Sequence, residues 1–400
     1  MRILLVILTS SLLFSCIQIS NFDAGYLVPA SSEPVKIKFE MVNGLIVIEA
    51  RINGEKGRFL FDNGFSLSGV NGEFAEKAGI VFSDTSNIID ANNKRSKVSQ
   101  TQVDKVDING QVFKETGFYR VNTKAFSPCD SLDGIIGASI INKANWQIDF
   151  DALTMLISSE AINSQGAHID VDFSSNNSAF VNIEIQGLIT KAKIDFGKSA
   201  EVELRKELFL NHFLGESAEE RIGSLSLSAN GLAKQKRNFY LTSHYPIKID
   251  RQSLHQNNQI KLVENLKYQA YLGLDFFKDY LVTLNSTENT YIVKRKASTK
   301  HSNSKTLATR ESYGISIYFI DNEWRVIALD PNNEISGNVP LLSQVELIDG
   351  QPISRFQNQC DFREYIKNKA TNRSKLKILL LGESKPVELK WQRATEIIIQ

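Results

Sequence analysis

The sequence predicts a mostly β protein: two similar β-rich lobes in tandem, closing into one bilobal barrel-like unit, then a small α+β domain. Three observations carry this. Runs of alternating apolar and polar residues are punctuated by Asn, Gly and Asp turn signals, as in half-buried strands. The pattern of residues 45–70 and 134–157 recurs at 179–204 and 270–293. A basic stretch rich in Ser and Thr, residues 294–312, then separates these repeats from a strand–helix–strand pattern.

The chain has 400 residues, enough for two or three domains with their own cores. Lys+Arg number 46 and Asp+Glu 45, a net charge of +1 that gives no electrostatic footprint for nucleic acid. The N-terminus reads MRILLVILTSSLLFSC. Arg2 opens a mostly apolar run, Ile3 to Phe14, too short to span a bilayer, which reads as a signal peptide over residues 1–15. The segment Leu13-Phe14-Ser15-Cys16 resembles a bacterial lipobox, although Phe14 is larger than that pattern prefers. The resemblance implies cleavage before Cys16, lipidation of its thiol and a lipid-anchored place in a bacterial envelope; several acyl chains would hold firmly. The alternative is an ordinary secretory signal.

The first lobe is expected over residues 34–160 and the second over 165–297. LIVIEARINGEKGRFLFDNGFSLSGV (45–70) aligns with AFVNIEIQGLITKAKIDFGKSAEVEL (179–204). Each is an alternating strand, a glycine turn, and a second strand ending in Asp-x-Gly. Gly54 precedes Gly187 by 133 residues, and Asp62 precedes Asp195 by the same 133. Ser66 and Ser199 follow at matched positions. A second pair, residues 134–157 and 270–293, sets Gly137 against Gly273 and Ile148 against Leu284 at an offset of 136. Asn63-Gly64 alone would read as a hairpin turn. Its counterpart Phe196-Gly197 would not, because phenylalanine is a poor turn residue. What both copies keep is the aspartate and the glycine.

These residues resemble the aspartic peptidases in their retropepsin-like bacterial form. That pattern is apolar-apolar-Asp-[Thr/Ser]-Gly, later apolar-apolar-Gly and a short helix. The matching residues are Leu60-Phe61-Asp62-Asn63-Gly64 with Ile135-Ile136-Gly137, and Lys193-Ile194-Asp195-Phe196-Gly197 with Tyr271-Leu272-Gly273. The resemblance covers residues 34–297 and implies that one chain supplies both aspartates of a dyad, with no cofactor. Two close carboxylates cannot both ionise comfortably and share a proton. The ionised one can take a proton from water while the other donates to the scissile carbonyl. On this resemblance Asp62 and Asp195 are catalytic. Gly64 and Gly197 are the turn glycines, Asn63 flanks the first aspartate, and Ser66 and Ser199 are candidate donors to the carboxylates.

Three residues depart from the pattern. Asn63 lacks the hydroxyl that would bond across to the partner loop, though its amide can donate. Phe196 can make no such bond. Lys198 replaces a small residue; near the dyad its ammonium would favour two ionised carboxylates, and pointing outward it would be an ordinary surface lysine. Two functions follow: an envelope-anchored aspartic endopeptidase, or a degenerate relative that binds peptides without cutting them. The flaps over the cleft are expected at residues 92–102 and 224–237, both polar and basic.

After the linker, residues 298–312, the third domain is expected over residues 313–394. Residues 313–329 read as strand, turn, strand, and residues 375–391 as a hairpin around Gly382-Glu383-Ser384. The stretch Leu342-Ser343-Gln344-Val345-Glu346-Leu347-Ile348-Asp349-Gly350-Gln351-Pro352-Ile353 resembles a signature of protease-associated PDZ domains, with its Gly-Asp replaced by Ser343-Gln344. That resemblance implies a peptide added to a sheet edge, its carboxylate held by the loop Tyr313-Gly314-Ile315-Ser316. The expected partner is therefore a peptide or protein, as substrate or ligand.

Five histidines are scattered without metal-ligand spacing, so no metal site is expected. Of the three cysteines, Cys129 and Cys360 fall in different expected domains; a bridge between them is possible, and two free thiols are the favoured reading.

Overall fold

In the computed structural model the described residues are 25–29, 33–89, 95–127, 129–223, 227–228, 231–232, 238–250, 252–296, 311–320, 322–330, 339–393 and 396–398. Cys16 with the whole signal stretch, residues 298–310 of the linker, and parts of both expected flaps lie outside them.

The fold is mostly β. In the first copy, strands Leu45–Ile52 and Glu55–Phe61 form an antiparallel hairpin. Its turn is Asn53-Gly54, both with positive φ (51° and 93°), the geometry a two-residue hairpin requires. In the second copy Ala179–Ile185 and Leu188–Asp195 pair in the same way around Gln186-Gly187, with φ of 50° and 81°. The apolar-Gly strand Gly134–Ile136 runs parallel to Glu55–Phe61 and antiparallel to Ser68–Val70. Its counterpart Ala270–Gly273 runs parallel to Leu188–Asp195 and antiparallel to Val202–Arg205. Each is followed by a single helical turn, Ala138–Ile141 or Leu274–Phe277.

The two copies meet in a six-stranded sheet. Asn145–Asp149 and Tyr280–Asn285 pair antiparallel at its centre, Trp146 opposite Leu284 and Ile148 opposite Val282. These are the strands that the 136-residue offset aligns. One apolar core runs through both copies. Trp146 is fully buried, stacks on Phe113, meets Phe61 edge-on, and donates its Nε1–H to the Ile141 carbonyl at 2.8 Å. Burial of an indole requires such a partner for its N–H.

The third region has its own core of Trp324, Val326, Ile348, Phe362 and Ile378 among others. It is α+β: strands Ile315–Ile320, Glu323–Leu329, Val345–Ile348, Leu376–Leu380 and Val387–Leu389, with helix Gln359–Thr371. The Asn358 side chain caps that helix by accepting from the N–H groups of Cys360 and Asp361. The region is stitched to the rest. Glu323–Leu329 and Glu396–Ile398 both pair with Ser217–Gly223 of the second copy. Glu311–Ser312, read from sequence as the linker's end, pairs with Gln392–Arg393.

One expectation is corrected outright. Cys129 and Cys360 are joined in a disulfide across 231 positions, with a Cα–Cα distance of 5.1 Å. The free-thiol reading failed because spacing in sequence says nothing about which loops a fold brings together. The bridge ties the start of helix Gln359–Thr371 to the first copy, where Arg363 also donates to Asn43 Oδ1 at 2.9 Å. No helix among the described residues is long and apolar enough to cross a membrane.

Candidate active site

Asp62 and Asp195 face one cleft of about 500 Å³. Both stand at the end of a buried strand, and the backbone then turns sharply. Asp62 N–H donates to the Ile136 carbonyl at 2.9 Å, so the apolar-Gly strand fixes where the aspartate emerges. In each loop the glycine N–H folds back onto its own carboxylate: Gly64 to Asp62 Oδ1 at 2.8 Å, Gly197 to Asp195 Oδ1 at 3.2 Å. Each carboxylate also packs on the other copy's glycine. A Cβ built on Gly64 would overlap the Asp195 carboxylate, and one on Gly197 would overlap that of Asp62. Only glycine permits both approaches.

The residues that departed from the expected pattern have found other work. Asn63 is buried, and its Oδ1 accepts the Phe196 N–H across the two copies at 2.9 Å. The amide N–H, the donor expected from sequence, does not make the bridge; the acceptor end does. Phe196 serves the core, fully buried between Phe61 and Phe277 with ring centroids 6.5 and 5.3 Å away. Lys198 does not stand between the aspartates. Its Nζ is 2.7 Å from Glu203 Oε2 and 4.6 Å from the Tyr271 ring centre, and Lys261 reaches the other Glu203 oxygen at 3.0 Å. Burial alone would raise the Glu203 carboxyl, but the two lysines hold it well below the usual range. Ser66 and Ser199 line the cleft, yet among the described residues no hydrogen bond links either to a carboxylate. The glycine N–H groups fill that part instead.

The residue that sequence reasoning missed is Lys193. It is buried, donates to the Gly64 carbonyl at 2.7 Å, and lies 3.8 Å from Asp195 Oδ2. The signal was present: a lysine occupies a position of the motif that is otherwise apolar.

Burial, then the neighbouring Asp195, push the Asp62 carboxyl up to about 7, against the opposing pull of Lys193 and of the Gly64 and Gly197 N–H groups. The folded protein thus holds a proton on Asp62 that the unfolded chain releases near its ordinary value of 3.8. Between those values the folded state binds more protons, so this group's contribution to stability is full below about pH 4 and is lost as pH rises through 7. The loss is expected to be on the order of a few kcal/mol. Urea titrations between pH 4 and 7 should show wild type losing stability relative to Asp62→Asn; parallel curves would refute the assignment.

The cleft wall is shared. Ile88 and Ile89 line it from the end of strand Asp84–Ile89, which pairs with strand Arg95–Ile108, the arm that carries the described part of the expected basic flap. Lys267 of the second copy donates to the Ile89 carbonyl at 3.0 Å. Tyr318, Gln359 and Arg363 of the third region also line the cleft. In the loop expected to hold a peptide carboxylate, the Tyr313 ring is buried against Trp391 and its hydroxyl donates to the Ser374 carbonyl at 2.6 Å. Gly314 N–H donates to Ser312 Oγ at 3.1 Å, and Ile315 and Ser316 pair with Leu329 and Ala328. Further along, the Gln359 amide bonds both Phe319 N–H (2.6 Å) and the Ile317 carbonyl (3.2 Å), occupying the strand edge beside the helix.

Residues 48–140 match a family model described as aspartyl protease. That stretch holds Asp62, Gly64 and Gly137; Asp195 lies beyond it. Among solved structures, the crystal structure of a retropepsin-like aspartic protease from Rickettsia conorii aligns at 22% identity, covering 32% of this chain and 94% of that one, with a TM-score of 0.26. No curated protein matches the chain. The family match and the mostly β architecture support an aspartyl protease type of fold.

Proposed function

We propose that the chain is an aspartic endopeptidase in which two fused retropepsin-like lobes supply Asp62 and Asp195 to one dyad. The observation that carries this reading is reciprocal: each carboxylate packs on the other copy's glycine, Gly64 or Gly197. One carboxylate, ionised, takes a proton from a water as its oxygen attacks the scissile carbonyl carbon. The other donates its proton to the carbonyl oxygen. Collapse of the tetrahedral intermediate, with protonation of the amine, yields a carboxylate and a free amine with no covalent enzyme intermediate. The third region is read as PDZ-like from its Leu342–Ile353 stretch, and it borders the cleft through Tyr318 and Arg363. A peptide adding to its strand edge would displace Gln359. The lipobox-like Leu13–Cys16 supports envelope anchoring through Cys16.

The test is cleavage of a peptide library by residues 17–400 from about pH 3 to 8, a range chosen to span shared-proton dyads. Asp62→Asn and Asp195→Asn should each lower the rate by about 10²–10⁴-fold. Cleavage that survives both substitutions would refute the dyad. A folded protein that cuts nothing but retains peptides would favour the second reading, a peptide-binding relative without hydrolysis. That reading draws on Lys193, a buried cation beside Asp195 that opposes proton sharing.

A further inference from the structure

Among the matched positions that differ in charge between the two copies, one stands directly beside the dyad. Lys193 stands two residues before Asp195, on the same strand face, as the twofold alternation of a strand requires. The residue 133 positions earlier, two before Asp62, is Leu60. Both line the cleft, so this matched pair of positions carries a cation on one side and an isobutyl group on the other. Lys193 is 6% exposed. Its Nζ is fixed by the Gly64 carbonyl at 2.7 Å and lies 5.5 Å from the Tyr268 ring centre, so it cannot swing out to water without breaking both contacts.

We propose that Lys193 is a positioning residue with two effects: its ammonium keeps Asp195 as the ionised partner, leaving the shared proton on Asp62, and its bond to Gly64 locks the two loops together. The proposal rests on the dyad reading and adds to it an order of roles, Asp195 as base toward water and Asp62 as acid toward the carbonyl.

The other charged and titratable groups around Asp195 do not compete for this part. Lys198 and Lys261 are both bound to Glu203. Lys267 is drawn to the Ile89 carbonyl. Tyr271 and Tyr268 face Asp195 and Lys193, and burial pushes the Tyr271 hydroxyl further up, so it stays neutral. Asp62 is the other carboxylate within the field of Lys193, which draws on it as well; the ammonium forms its ion pair with Asp195, at 3.8 Å, so its stronger pull is there. The lock is also legible in the cross-copy bonds. Asn63 Oδ1 accepts from Phe196 N–H in one direction, and Lys193 Nζ donates to the Gly64 carbonyl in the other. Together they bridge the loops from both sides, where the family pattern would use two hydroxyls.

The test pairs kinetics with a direct titration of ¹³C-labelled aspartate carboxyls, assigned with Asp62→Asn and Asp195→Asn. In wild type, Asp195 should ionise at lower pH than Asp62; the opposite order overturns the proposal with no Lys193 variant needed. In Lys193→Met, the Asp195 titration and the acidic limb of kcat/KM should both move up by about one pH unit, a tenfold loss on that limb, where Lys193→Arg keeps them in place. A purely structural lysine would lower kcat/KM equally at every pH and leave both titrations still, which refutes the charge role. Failure of wild type to cut any peptide would sink the dyad reading alone, since the carboxyl titrations still report whether Lys193 orders the two protons.

Discussion

Gly197→Ala is expected to lower kcat/KM for peptide hydrolysis by about 10²-fold or more while leaving the protein folded. The cause is contact, not backbone strain. The added Cβ would occupy the space of the Asp62 carboxylate. An aspartate side chain is too short to bend away and keep its place, so the carboxyl must rotate out of line with Asp195. Displacements of about an ångström at reacting groups are enough for losses of this size. Gly64→Ala should act alike through Asp195, since the overlap is mirrored there. Both glycines lie on loops at the cleft, outside the core around Trp146, so thermal unfolding should shift little. The check is a pair of measurements on one sample, kcat/KM and Tm. Undiminished kcat/KM in both variants would mean that the carboxylates do not need this packing, and the dyad geometry would be wrong.

Phe196→Thr looks like a repair, since it places the hydroxyl of the aspartic peptidase pattern after Asp195. It is expected instead to destabilise the protein by about 3–4 kcal/mol, in the range of large-to-small changes at buried aromatics. Phe196 is fully buried, and its ring lies between Phe61 of the first copy and Phe277 of the second. Removing it opens a void at the junction of the copies and leaves a hydroxyl in apolar surroundings. The cross-copy bond from Phe196 N–H to Asn63 uses only the backbone and gains nothing from the new side chain. Urea unfolding at fixed pH measures the change. A loss below about 1 kcal/mol, the scale of volume-conserving swaps, would show that the neighbouring rings close the gap and that Phe196 is not the structural residue described here.

The repeated hairpins and the Asp-x-Gly loops were legible because their signals are local. Strand alternation, the glycines at 54 and 187, and the aspartates at 62 and 195 are fixed by what each short segment can do alone. What stayed hidden depends on juxtaposition. Lys193 sat in plain view as an odd member of an apolar motif, but its value comes from Gly64, which lies 129 positions away. Asn63 invited a turn reading, and its acceptor bond exists only because the second copy's loop arrives opposite. Ser66 and Ser199 matched in spacing, yet spacing within a loop does not set where a hydroxyl points. The Cys129–Cys360 bridge could not be inferred because two single cysteines carry no pattern. The third region's intrusion into the cleft through Tyr318 and Arg363 is likewise a fact of assembly.

That bridge makes the chain from Cys129 to Cys360 a closed covalent ring, with Asp195 on the ring and Asp62 on the tail that leads into it. A single break in any peptide bond of the ring opens it without releasing a fragment. The pieces bearing the two aspartates remain one molecule joined through sulfur, and two breaks are needed to set any segment of the ring free. For a chain proposed to cut peptides, and so exposed to its own chemistry at high concentration, one nick on the ring is therefore survivable: the two halves of the dyad are kept at the effective concentration of a tethered pair.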